Sequence, residues 1–378
     1  MSFKYFDNAA TTRVDDDVTA IVNHFNREEF FNPSANYRYS VEAHNRIGEA
    51  REQILRLLKG QNGTIYFTSS GTEADNQAVF CSKKRKNSNV LISAVEHPAV
   101  FNAANALKNM GYEVRICPVD GCGRVDQAAF ASLIDQNTSF ISIMHVNNET
   151  GAVNDVAKLV KTAKSINPGV VFHSDGVQAF GKVPVNLAEL NVDLYTVSGH
   201  KIGAPKGIAA LYVKKGVTVA PLLYGGGQEN GVRSSTENVS GIMAFAFAAA
   251  RAVKELPQNN EKYRSFTAML KSALSEAAEI KYISEDGCSP HIFTFAFKTV
   301  RGEVMQHALE ASDILVGTGS ACSARRAHDR IPAALGLKEY SDGVVRVSFG
   351  RENTKEEVEL LASELLKNYH ILKKYVGK

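Results

Sequence analysis

Between residues 64 and 213 the chain alternates short runs of β-branched and aromatic residues with longer stretches whose apolar positions fall three and four apart. The runs are TIYFT, NVLIS, EVRIC, FISIMH, VVFHS, DLYTV and IAALYV. The intervening stretches 73–83, 100–110, 127–135 and 155–166 have helical spacing. This alternation predicts an α/β fold, a mainly parallel seven-stranded sheet with helices on both faces. An apolar stretch, 242–256, then gives way to PQNNEK at 257–262, a polar break at which a domain boundary is expected. Beyond it the pattern predicts a helix (263–280), a strand (HIFTFAF), a helix (304–311), a strand (VVRVSF) and a C-terminal helix (355–369), a smaller α+β unit.

Composition narrows the class. The 378 residues are 44% apolar, enough for a large core, and 22% charged, with 28 Gly and 10 Pro, far from disordered or collagenous chains. The balance of 43 Lys plus Arg against 40 Asp plus Glu leaves +3, too little to imply a nucleic-acid footprint. Five scattered Cys point to free thiols and a reducing, cytoplasmic setting. The N-terminus, MSFKYFDNAATT, has no apolar signal core and no run reaches membrane-spanning length, so neither secretion nor a membrane role is expected.

Three segments carry chemistry. TIYFTSSGTEADNQAV runs a strand into Ser69-Ser70-Gly71-Thr72 and a helix, an anion site by its backbone N–H groups. By itself it reads equally as an ordinary helix start with Thr72 as cap and Asp75 at the third position. FHSDGVQAFG ends a strand on Asp175, with Gln178 three residues on, at the carboxyl edge where open α/β sheets place ligands. DLYTVSGHKIG ends another on Ser198, His200 and Lys201. Together they supply what pyridoxal phosphate requires: an anion site, a carboxylate for the ring nitrogen and a Lys for the aldehyde.

The segments YFDNAATT, SGTEADN, VEHPAV, VNNETG, HSDGVQAFGK, SGHKIGAPKG, YGGGQENGVRSSTENV, GTGSACSA and VRVSFGREN span nearly the whole chain in order. By them it resembles the NifS/IscS-like cysteine desulfurases, in the class V branch of fold-type I pyridoxal-phosphate enzymes. The resemblance implies a large cofactor-binding domain over 14–256. The small domain would comprise 1–13 and 257–378, with a catalytic Cys loop near 316–330. It implies that Lys201 holds pyridoxal 5'-phosphate, Asp175 its ring nitrogen and Gln178 its ring hydroxyl. His97 would stack on the ring and shuttle protons. Gly71, Thr72, Ser198 and His200 would bind the phosphate, with Thr236 reaching it from the second subunit of a homodimer. Asn148 and Arg351 would hold the carboxylate of L-cysteine. No metal is expected.

Cys322, in GSAC, is the implied persulfide carrier; Arg325, Arg326 and His328 follow it and favour thiolate. The sulfur would pass to an acceptor protein, an iron–sulfur scaffold or a tRNA-thiolation enzyme. Two departures stand out: Ser235 where the family commonly has Gly, and the basic SARRAHDRIPAALGL after Cys322. An aminotransferase or lyase of the same fold would have no use for Cys322, whereas a selenocysteine lyase would share nearly all the equipment. A scaffold that has lost its chemistry is disfavoured because every expected catalytic residue is present. Cys117 and Cys122 read as a strand-end and turn pair rather than a zinc site, and Cys288 as a loop thiol. His145 and His173 read as core histidines.

Overall fold

The computed structural model describes residues 3–82, 84–318 and 330–375. Cys322, Arg325, Arg326 and His328 therefore lie outside the described residues. The strands are β1 (Lys4–Phe6), β2 (Gly63–Thr68), β3 (Asn89–Ser93), β4 (Glu113–Cys117), β5 (Thr138–Ser142), β6 (Val171–Asp175), β7 (Leu194–Ser198), β8 (Ala209–Lys214), β9 (Ile280–Tyr282), β10 (Ile292–Phe297), β11 (Ile314–Val316) and β12 (Val344–Ser348). All seven expected runs form one sheet, in the order β2-β8-β7-β6-β5-β3-β4. Only β8 runs antiparallel to its neighbours.

Alternation of side chains along each strand divides the core into two layers. Leu91, Ala210 and Tyr212 join Ile54, Phe130, Leu159 and Phe245 on one face. Val90, Ile92, Leu211 and Val213 meet Ala74, Ala78, Val100 and Leu107, from the helices Gly71–Cys81 and Pro98–Lys108, on the other. With both faces covered, strands such as β3 and β7 are buried at every position, which is why they read as continuous apolar runs.

The C-terminal part forms a second core. β10 lies between β12 and β9, antiparallel to both, and its Phe293, Phe295 and Phe297 pack with Val358, Leu361 and Leu365 of the helix Lys355–Lys373. β1 pairs in parallel with β11, and Phe6 joins this second core. No helix among the described residues is long and apolar enough to cross a membrane.

The expected break at 257–262 is not a break. One helix, Val239–Leu274, runs 36 residues through Pro257. Its Phe245 and Ala248 belong to the first core, and its Tyr263, Phe266 and Leu270 to the second. The polar residues misled because apolar burial, present on both sides, holds the helix together across an exposed turn that contributes little. We propose that the boundary between the two lobes falls within this helix. Proline lacks the N–H that would bond to the carbonyl of Val253 and crowds that group. Pro257→Ala is expected to raise unfolding stability by about 1–3 kcal/mol, read as a higher urea midpoint.

Candidate active site

β6 and β7 are neighbours in register, Asp175 opposite Thr196, so Asp175 and Ser198 stand together at the carboxyl edge of the sheet. The chain leaves β7 through the tight turn Gly199–Lys201. A Cβ on Gly199 would come within 3.0 Å of both Ala204 and Ile208, so the turn requires glycine. Lys201 Nζ donates to the carbonyls of Ala9 (2.6 Å) and Ala10 (2.8 Å). His200 is paired with Thr11 (Nδ1 to Oγ1, 3.1 Å), and its carbonyl accepts from Thr12.

The helix Gly71–Cys81 is capped by Ser70, whose hydroxyl accepts the N–H of Glu73, while the Glu73 carboxylate accepts the N–H of Ser69. Thr72 is therefore not the cap: Ser70 is, two residues earlier, with Glu73 rather than Asp75 at the third position. Glu73 also pairs with Arg233 at 2.8 Å, which partly neutralises a carboxylate beside an anion site. Gly71 faces Val177 and Ser198; a Cβ there would lie 3.1 Å from Val177 Cγ2 and 3.9 Å from the Ser198 hydroxyl. The first-turn N–H groups have no intrahelical partner. Thr72 and Thr236 are both exposed, and Thr236 lines a shallow pocket with Ser69 and Arg233.

Burial sets the electrostatics. The Asp175 carboxyl is pushed up to about 6 by burial, against the pull of the Val177 N–H (2.9 Å) and Lys201. Burial and the Arg346 charge bring the Lys201 amine down to about 8. His97 caps the helix Pro98–Lys108, its Nδ1 accepting the Ala99 N–H at 3.2 Å, and burial with Lys201 and Arg330 nearby holds it down at about 4. The imidazole is thus neutral, with its proton on Nε2. Donor atoms of Asp75, His97 and Asp175 lie within 4.8 Å of one another. Burial and the neighbouring Asp175 raise the Asp75 carboxyl well above its ordinary range.

Polar atoms left over in this region suit an organic cofactor. Asp75 Oδ1, Asn148 Oδ1 and Arg346 Nε are buried without a hydrogen-bond partner. A protonated ring nitrogen against Asp175 would restore the carboxylate to its ionised form. Gln178 is engaged on both sides, donating to the Ala9 carbonyl (2.8 Å) and accepting from His291 Nε2 (3.2 Å), which in turn meets Ser289 (2.7 Å). His291 was not legible as a site residue: it precedes an apolar strand and carries no motif.

Arg351, expected to hold the substrate carboxylate, is engaged by carboxylates of its own chain. Its guanidinium pairs with Asp15 (3.3 Å) and Glu255 (3.5 Å), is 39% exposed, and lines a cavity of about 510 Å³ with Asn8, Thr11, Lys182, Ile202 and Arg251. A second cation, Arg346, bears on the Lys201 amine. It is 6% exposed, donates to the Asn148 carbonyl (2.9 Å) and to Asp7 (2.7 Å), and its charge depresses Lys201. The signal for it was the lone charge within VVRVSF; strand alternation turns Arg346 and Ser348 to the same face, and Arg351 lies beyond the strand end.

The model of the aminotransferase class-V family matches residues 4–361. The cysteine desulfurase IscS of Clostridium botulinum is 33% identical over 372 residues, covering 96% of this chain and 93% of that protein. A solved NifS-like protein superposes with a TM-score of 0.90 at 33% identity, covering 98% of this chain and all of the other. SspA, solved in complex with cysteine, is 28% identical with a TM-score of 0.77 over 92% of this chain and 98% of its own. The chain belongs to the cysteine desulfurase family. Enzymes of this class-V fold depend on pyridoxal phosphate, and the desulfurase names favour that activity over the aminotransferase and selenocysteine-lyase readings.

One further acid of this desulfurase site is set by burial. Glu96 accepts from Ser93 (2.6 Å) and from the Met144 N–H (2.9 Å), both through Oε1, and burial raises its carboxyl to about 8. A carboxyl raised in the folded state contributes fully below about pH 4.5 and loses its contribution as pH climbs toward 8. Glu96→Gln keeps both accepted bonds and cannot ionise. Its stability relative to the native chain should therefore rise between pH 4.5 and 8, by on the order of 4 kcal/mol, in paired denaturation curves.

Proposed function

We propose that this desulfurase takes sulfur from L-cysteine, releases alanine and carries the sulfur as a persulfide on Cys322 to an acceptor protein. The observation that carries the reading is Lys201: a buried amine brought near neutrality, held by two carbonyls, beside a buried Asp175. Bound pyridoxal phosphate supplies an electron sink for the bonds at the substrate α-carbon. Asp175 would hold its ring nitrogen and Gln178 its ring hydroxyl, with the Gly71–Thr72 amides, Ser198 and His200 around its phosphate. Thr236 would come from a second copy, and the exposed Phe30, Tyr37, Tyr39 and Tyr224 support a homodimer.

Lys201 would act as the base at the substrate α-carbon; its pKa near 8 leaves an appreciable fraction unprotonated at neutral pH. Arg346 and the uncommitted Asn148 Oδ1 flank the position for the substrate α-carboxylate and amine. His97, with Nε2 carrying the proton, is suited to pass it to the departing group. Both flanks of the segment bearing Cys322 are tied to this site. Gly317 exchanges backbone hydrogen bonds with Arg346 (2.8 and 2.9 Å), and Arg330 donates to the carbonyls of Ala94 and Glu96. Arg325 and Arg326 would favour the Cys322 thiolate and steer an acidic acceptor surface in the cytoplasm, that of an iron–sulfur scaffold or a tRNA-thiolation enzyme.

Incubation with L-cysteine without reductant should yield alanine and one added sulfur atom on the peptide carrying Cys322. Cys322→Ala should lose both, and Lys201→Ala should slow alanine formation about a hundredfold or more. Alanine undiminished in Cys322→Ala would make the enzyme a lyase without a relay thiol. Arg346→Lys keeps the charge and loses the guanidinium fork, so KM for L-cysteine should rise about ten- to hundredfold, while Arg351→Ala changes it less than about threefold. The reverse pattern would return carboxylate binding to Arg351.

A further inference from the structure

A side-chain amide can be turned either way, so Gln178 offers its surroundings an N–H or an oxygen according to what fixes it. Three hydrogen bonds among buried groups decide the orientation. Gln178 Nε2 donates to the Ala9 carbonyl at 2.8 Å, a group that can only accept. Oε1 is then the atom 3.2 Å from His291 Nε2, and an amide oxygen cannot donate, so the imidazole carries its proton on Nε2. Nδ1 is left as the acceptor for the Ser289 hydroxyl at 2.7 Å. Ser289 and His291 are 1% exposed and Gln178 3%. The Ser289 hydroxyl could turn to serve the other tautomer, but a reversed amide would still set its oxygen against the Ala9 carbonyl.

The imidazole is itself held in place and kept neutral. Its backbone carbonyl accepts the Phe349 N–H just beyond β12 (2.8 Å), and the Ser289 N–H donates to the Gly151 carbonyl (2.7 Å). Burial and the charges of Lys182, Arg346 and Lys201 hold His291 well below its ordinary range, so the ring keeps one donor and one acceptor. With one N–H of Gln178 on Ala9, the second has no acceptor among the described residues. The same Ala9 oxygen accepts from Lys201 at 2.6 Å, so the amide nitrogen stands two hydrogen bonds from the reactive amine.

We propose that His291 is a positioning residue of this site: backed by Ser289, it holds the Gln178 amide so that a spare N–H, and not the oxygen, meets the ring hydroxyl of pyridoxal phosphate, an inference that rests on the cofactor reading given above. An N–H donated to that hydroxyl favours its ionised form and draws charge from its oxygen. The oxygen then holds less firmly the proton on the linkage between Lys201 and the cofactor. His291 comes from the strand end before β10, so the packing of the second core on the first reaches the cofactor through this amide.

The test follows the near-visible absorbance of bound pyridoxal phosphate in the full-length holoenzyme as pH is varied. His291→Leu should raise the midpoint by about one pH unit. His291→Gln, whose amide can present an N–H where Nε2 stood, should restore most of the native midpoint. Gln178→Leu should raise the midpoint likewise, and adding His291→Leu to it should change nothing further, because the effect passes through the amide. The same shift from His291→Leu with and without Gln178, or no recovery in His291→Gln, would overturn the proposal. Nitrogen-15 spectra of the native chain labelled at histidine give a second reading that needs no variant to fold: a proton on Nε2 of His291 is expected, and one on Nδ1 would equally overturn it. A native protein without the near-visible band would refute the cofactor reading instead, and the histidine spectra, which need no cofactor, would still decide the order of hydrogen bonds.

Discussion

The carbonyl oxygen of Ala9 is the point on which the site turns. It accepts from Lys201 at 2.6 Å and from Gln178 at 2.8 Å, while the N–H of the same residue donates to Ser348 of β12 at 2.9 Å. One residue thus joins the end of β7, the turn after β6 and the second core. The segment around it is fixed on both sides, by Asn8 to the Ser348 carbonyl and by Thr12 to His200. A strip lacking regular secondary structure can position a reactive amine because its own polar groups are satisfied by three separate elements.

Around that strip the protein buries charge that it does not fully compensate. Asp175, Lys201 and His97 are all moved toward neutrality, by burial first and by their neighbours second. Uncompensated buried polar groups weaken a fold, and a chain tolerates them where a ligand supplies the missing partners. The unpartnered atoms of Asp75, Asn148 and Arg346 fit that account.

Much of this was legible because it is local. Each strand of the large sheet is a contiguous apolar run, and Asp175 and Lys201 were found because they close such runs. The failures share a different cause. Thr72 and Ser70 are both good caps, and only the bond from the Glu73 N–H to the Ser70 hydroxyl decides between them. The bearing of Arg346 on Lys201 was not legible, because a motif orders residues along the chain and does not say which way each faces. The meeting of Gln178 with His291 depends on how the lobes pack, which neither segment encodes alone.

The helix Val239–Leu274 extends about 54 Å and is embedded in both cores. A shared beam of this kind transmits torque: one lobe cannot swing over the other without bending the rod or tearing apolar side chains from one of its two sockets. The two cores on either side of the reacting amine are thereby held in one alignment by a single element.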